Sequence, residues 1–382
     1  MKLLIALLIF SLIIIFHELG HFLLAKRGGI RVNEFSLGMG PRLLSRQIGE
    51  TRYSLKLLPF GGSCMMEGED GVYEEDSPGA DREESNSLVQ SLHSVEEMQV
   101  SRERVETKRA GALPDYAFGA KSVWVRISVV VAGPIFNFIL AFFLALFIIG
   151  NIGYDEPLVE AVTEGFPAQA AGMQAGDRIL KLNDTRVHVY REVNQYVQQH
   201  QGETVTVLYE RDGAQHTVTL EPKESDNGQY YLGFSSSGAR TRGGILKTLG
   251  YSAYEVKYWI STTIKSLGML FRGQVGVNEV SGPVGIVNII GETYETSRSE
   301  GIYSMLLSMA YLSLLLTANL GVMNLLPIPA LDGGRLVFLF LEAIRGKAID
   351  PEKEGMVHFA GLMVLMAVMV LVLFNDVRMI FL

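Results

Sequence analysis

The chain has 382 residues, 48% hydrophobic and only 19% charged, against about 25% charged in a typical soluble domain. That composition and a mean hydropathy of +0.23 exclude a single soluble globule, and one cysteine excludes a disulfide framework or a cysteine-rich zinc module. The net charge of −8 argues against a nucleic-acid partner.

Leu3 to Leu24 is a nearly unbroken apolar run. It is longer than the core of a signal peptide and lacks a small-residue cleavage site, so it reads as a retained membrane span. Ile127 to Gly150, Tyr303 to Leu326 and Val357 to Phe374 are the other runs of spanning length. Basic residues cluster after the first span (Lys26, Arg27, Arg31, Arg42, Arg46), before the second (Lys108, Arg109, Lys121, Arg126) and between the third and fourth (Arg335, Arg345, Lys347, Lys353). By the positive-inside rule, residues 26 to 126 are expected in the cytoplasm and both termini outside.

Between the first two spans, residues 67 to 106 carry 13 acids and 3 bases. The stretch 67 to 116, rich in Ser, Gln and Glu, lacks the apolar content to fold alone and reads as a mobile cytoplasmic insertion. Residues 155 to 236 have soluble composition, with strands expected at 158–162, 177–182, 204–209 and 216–220 and a helix near 191–199. Within them, Gly165-Phe166-Pro167-Ala168 and Ala171 to Leu180 resemble the PDZ domains of bacterial envelope proteases, which bind extended peptides at a sheet edge. Ile245 to Leu270, with Trp259, three tyrosines and lysines among apolar residues, reads as an interfacial amphipathic helix.

The chemistry is concentrated in His17-Glu18-Leu19-Gly20-His21. On a helix, histidines four apart share a face and can hold one zinc ion, while the intervening glutamate can take a proton from water. Three ionisable residues inside an apolar run need partners or a function. Two histidines leave a catalytic zinc one protein ligand short. The run Asn324 to Arg335, where Pro327 and Pro329 break the third span ahead of Asp332, offers a carboxylate as the third. Asp332 before two glycines is equally the composition of a plain turn.

H-E-L-G-H together with N-x-x-P-x-P-x-L-D-G resembles the site-2 protease family of intramembrane zinc metalloproteases, in the bacterial branch with one PDZ domain that includes the regulator-of-sigma-E protease. Phe35 to Pro41, Pro59 to Met66, Gly133 to Asn137, Ser281-Gly282-Pro283 and Phe374-Asn375-Asp376 extend the resemblance over nearly the whole chain. It implies one zinc ion held by His17, His21 and Asp332, Glu18 as general base, and Asn324 on the substrate backbone or the oxyanion. It further implies substrate binding by Gly61, Gly62, Ser63, Cys64, Asn319, Pro327 and Pro329, and a PDZ groove at Gly165, Phe166, Pro167 and Ala168. The sequence departs from the family at Gly61-Gly62-Ser63-Cys64 and Gly38-Met39-Gly40, where larger apolar residues are usual.

The fold class expected is a polytopic α-helical membrane protein with four spans, an inserted extracytoplasmic PDZ-like α+β domain and a membrane-associated β loop. The expected organisation is 1–66 (first span, zinc motif, β segment), 67–122 (acidic insertion), 123–154 (second span), 155–236 (PDZ-like), 237–300 (amphipathic helix and loop) and 301–382 (third and fourth spans). The expected partners are a single-pass membrane protein, of anti-sigma-factor or remnant-signal-peptide type, and lipid, in a bacterial inner membrane. The alternatives are a non-enzymatic membrane scaffold recruiting partners through the PDZ domain, and a metal transporter, which the apolar second and fourth spans disfavour.

Overall fold

Each apolar run folds as one helix, and the ends differ from the hydrophobic limits for local reasons. In chain order, the computed structural model contains α1 (Lys2–Arg27), β1 (Val32–Ile48), β2 (Thr51–Met66), α2 (Val123–Ile152), β3 (Ala161–Val162), α3 (Pro167–Ala170), β4 (Arg178–Leu182) and β5 (Thr185–Arg186). There follow α4 (Tyr190–Gln199), β6 (Val205–Arg211), β7 (Ala214–Leu220), β8 (Lys223–Glu224), β9 (Tyr230–Tyr231), β10 (Phe234–Ser235), α5 (Ile245–Phe271), α6 (Pro283–Ser299), α7 (Ile302–Asn324), α8 (Asp332–Arg345) and α9 (Pro351–Phe381). The structure describes residues 2–69, 113–225, 228–236, 238, 240–273 and 281–381. Most of the acidic insertion, 70–112, lies outside them.

Among the described residues, α1, α2, α7 and residues 351–376 of α9 are long and apolar enough to cross a membrane. α1 runs on to Lys26 and Arg27, cations that suit the negative end of a helix. α7 stops at Asn324 rather than Leu326, because a proline disfavours helical backbone in the residue before it. α9 starts early, with Pro351 as its first residue and Glu352 and Glu354 in its first turn, both favoured at a helix start. Residues 283–299, expected as loop, form α6. Its signal was Gly282-Pro283, a proline at the first helical position.

The chain divides into two compact units. One comprises residues 10–135 and 324–368. Its core joins Ala25, Ile30 and Val32 to Cys64, Met66, Phe118, Ile127, Val130, Leu336 and Leu339. β1 and β2 form a bent, irregular hairpin. Residues 34–37 pair with 62–65 on one side and 52–55 on the other, leaving 62–66 at an outer edge of the small sheet. Both ends of the expected insertion are tied in here: Glu67 N donates to Arg31 O at 2.9 Å, Phe118 N to Glu67 O at 2.8 Å and Arg31 N to Tyr116 O at 2.9 Å. α8 is fixed to α2 by the Arg126–Glu342 ion pair, whose side chains are 12% and 16% exposed.

The other unit comprises residues 1–9, 136–323 and 369–382. Ala141, Ala145 and Ile148 of α2 pack against Val256 of α5 and Leu314 and Ala318 of α7. Residues 155–236 carry a four-stranded antiparallel sheet, order β5-β4-β6-β7, over a core that includes Ile179, Leu182, Val193, Val197, Val205, Val207 and Leu220. Arg191 of α4 pairs with buried Glu255 of α5 and donates to Tyr311 of α7. The Asp376 carboxylate accepts from the N–H groups of Gly282, Val284 and Gly285, capping α6.

Candidate metal centre

His17 and His21 lie one turn apart on α1, and their Nε2 atoms approach to 3.1 Å. The His21 Nδ1–H donates to the carbonyl of Val129 at 2.9 Å, which turns the lone pair of Nε2 toward His17. Asp332, the first residue of α8, puts Oδ2 3.1 Å from His17 Nε2 and 3.5 Å from His21 Nε2. The turn ahead of it folds directly onto the helix start. A Cβ on Gly333 would lie 2.0 Å from Leu326 O, and one on Gly334 2.4 Å from Ile328 O, so the two glycines after Asp332 are close-approach residues.

These three groups form a set able to hold a metal ion. A tetrahedral zinc ion with bonds of about 2.0–2.1 Å separates its ligand atoms by about 3.3 Å, and the observed separations of 3.1, 3.1 and 3.5 Å bracket that value. Asp332 Oδ2 is buried and makes no directed hydrogen bond among the described residues. Gly133 of α2 supplies the cradle: a Cβ there would lie 2.3 Å from His21 Nε2 and 2.7 Å from His17 Cε1. The site thus fits zinc in donor type, spacing and space.

Glu18 follows His17, and β2 passes close to it. A Cβ on Gly62 would sit 3.1 Å from Glu18 Cγ, Ile14 Cγ2 and Ser36 O, the close approach that glycine in a strand permits. Gly61 takes φ +86°, Ser63 Oγ meets Ser36 Oγ at 2.8 Å, and Cys64 is buried in the core. Burial pushes the Cys64 thiol above its ordinary range, helped by the Glu18 and Glu69 carboxylates. Asn324 Nδ2 lies 3.4 Å from His17 Nε2. Pro327 follows in the turn, and Pro329 packs against Gly361 of α9.

Asn319 belongs to the other unit, where its Oδ1 accepts a hydrogen bond from Thr263 of α5. Gly165, Phe166 and Pro167 line a cavity of about 810 Å³ together with Gln169, Ala170, Glu221, Pro222 and Lys223. Ala168, expected in that groove, is instead fully buried in the domain core. Sequence reasoning missed Val129 O, the contact role of Gly133, and a cavity of about 390 Å³ with Asp332, Glu69, Arg335, Glu354 and His358 on its walls.

Residues 5–368 match the model of peptidase family M50. The chain is 34% identical to the zinc metalloprotease RasP of Bacillus licheniformis, covering 98% of each chain. It is 33% identical to RasP of Geobacillus kaustophilus, over 98% of this chain and 97% of that one, and 33% identical to the regulator of sigma-W protease RasP of Bacillus subtilis, over 98% of both. Among solved structures, the PDZ domain of an SdrC-like protein of Listeria monocytogenes is similar over 22% of this chain and 90% of its own, at 22% identity and a TM-score of 0.20.

Proposed function

The chain belongs to peptidase family M50, the site-2 proteases, and is a zinc metalloprotease with apolar helices of membrane-spanning length; from that premise we propose that it cuts single-pass membrane proteins in or beside their transmembrane segments, with His17, His21 and Asp332 holding zinc. The convergence of those three ligand atoms beside Glu18 carries the reading. Family membership sets aside the non-enzymatic scaffold.

Zinc, when bound, polarises the scissile carbonyl and lowers the pKa of water. Glu18 accepts the proton of the attacking water and returns it to the leaving amine. Asn324 Nδ2 donates to the developing oxyanion. A transmembrane helix hides its carbonyls in internal hydrogen bonds, so the substrate must unwind first. The outer edge at 62–66, passing over Glu18, suits an extended segment added as a strand.

A relative named as regulator of sigma-W protease supports an anti-sigma-factor type of substrate. The basic clusters support cytoplasmic residues 26–126, with both termini and the PDZ-like domain outside. That domain, with Lys223 Nζ 5.2 Å from the Phe166 ring centroid at the cavity, suits either capture of a new carboxyl terminus or exclusion of untrimmed substrates. The test is cleavage of a model single-pass substrate by Glu18→Gln, with zinc content measured in parallel. Zinc retained with turnover reduced by about 10²–10⁴ is expected, and wild-type cleavage by this variant would overturn the mechanism.

A further inference from the structure

The turn that delivers Asp332 holds a backbone conformation that its sequence does not favour. Among the described residues, three non-glycine positions have left-handed backbone: Asn183, Asp212 and Ala330. Asn and Asp tolerate it through their short polar side chains, whereas alanine does not. Ala330, at φ +77°, must therefore be held there by its surroundings.

Two residues one turn apart on α9 hold it. The Ala330 N–H donates to His358 Nδ1 at 2.9 Å. At Gly361, a Cβ would lie 2.3 Å from Pro329 Cβ and 2.9 Å from its carbonyl carbon and oxygen, so Pro329 fills that notch. The His358 ring is in turn set against Phe338 of α8, with centroids 5.5 Å apart. Downstream, Leu331 N donates to Ile328 O at 3.2 Å and Gly334 N to Leu331 O at 3.0 Å. A rotation at Ala330 is therefore transmitted to Asp332 two residues later.

We propose that His358 is a positioning residue for the metal centre: by accepting the Ala330 N–H it holds the left-handed turn that aims Asp332 at His17 and His21. The proposal rests on Asp332 being a zinc ligand.

The test measures zinc affinity of the detergent-solubilised full chain by competition with a chromophoric chelator, in wild type, His358→Phe, His358→Asn, His358→Phe with Ala330→Gly, and Asp332→Ala. His358→Phe keeps a ring on Phe338 but removes the acceptor, and should weaken zinc binding about tenfold, the scale of losing an outer-shell partner. His358→Asn places Oδ1 where Nδ1 stood and should restore most of the affinity. Ala330→Gly should also restore it, because glycine holds the positive φ unaided. Wild-type affinity in His358→Phe, no recovery in His358→Asn, or no recovery with Ala330→Gly would each overturn the proposal. Wild-type affinity in Asp332→Ala would remove the ligand assignment itself, whereas weak binding there with normal binding in His358→Phe removes the positioning role alone.

Discussion

Gly133→Ala separates helix stability from metal-site geometry. Alanine in place of an interior helical glycine ordinarily stabilises a helix by about 1 kcal/mol. Here the new methyl carbon would stand 2.3 Å from His21 Nε2, 2.6 Å from His21 Cε1 and 2.7 Å from His17 Cε1. Non-bonded carbon atoms rest at about 3.5–4.0 Å, so the rings or the helices must separate by roughly 1 Å. Metal–ligand distances tolerate about 0.2 Å. If the rings swing, the His21 bond to Val129 O is lost as well, itself worth about 10–100-fold in affinity. The expected result is at least about a 100-fold loss of zinc affinity, or about 2.7 kcal/mol. The fold should survive, because overpacking costs only about 1–3 kcal/mol. Metal content by mass spectrometry, with thermal unfolding in the presence and absence of chelator, reads both quantities. A Gly133→Ala protein with full zinc and wild-type turnover would refute the close-approach reasoning.

Glu342→Met should leave the mostly buried Arg126 guanidinium without its partner and destabilise the protein by about 3 kcal/mol; Arg126→Met added to it should recover most of the loss in a thermal melt. Native Cys64 should resist iodoacetamide at pH 8 and react only on unfolding, because burial holds its thiol protonated; rapid labelling of folded protein would contradict that. Burial raises the Asp177 carboxyl, but hydrogen bonds from Arg211 and Gln174 N outweigh it and leave it below the ordinary 3.8. Stability from this group is thus complete above about pH 4 and lost as pH falls through the lowered value. Urea midpoints of residues 155–236 should show that acid loss in wild type and a smaller one in Asp177→Asn.

What the sequence made legible is what periodicity and backbone chemistry dictate locally. His17 and His21 share a face because of their spacing, and Pro327 ends α7 because of its ring. The strands and helix of 155–236 follow from alternation and from turn residues. Gly133 and His358 were beyond such reading. Gly133 matters because α2 meets α1 at His21, 112 positions away in sequence. His358 matters because it meets the amide of Ala330, an unremarkable residue until its φ is known. α6 escaped because its apolar residues are few, and because its N-terminal cap comes from Asp376, more than 90 residues further on.

The charge balance of the site explains how so many ionisable groups sit in one apolar helix. Two neutral imidazoles, the carboxylates of Asp332 and Glu18 and one divalent cation sum to zero. A neutral cluster avoids most of the desolvation penalty that an unpaired buried charge incurs. In the proposed mechanism Glu18 would belong to that balance as well as act as the base, and Glu18→Gln would leave a net positive site. Geometry limits how the balance can be met. Asp332 reaches the two histidines because Gly333 and Gly334 let the turn before them fold onto the start of α8, while α1 and α2 close up through Gly20 and Gly133, which puts Val129 O on His21. A Cβ on Gly20 would lie 2.3 Å from Ala132 O. Glycines at these close approaches, rather than further ionisable residues, are what let the Asp332 carboxylate and the oriented His21 ring converge.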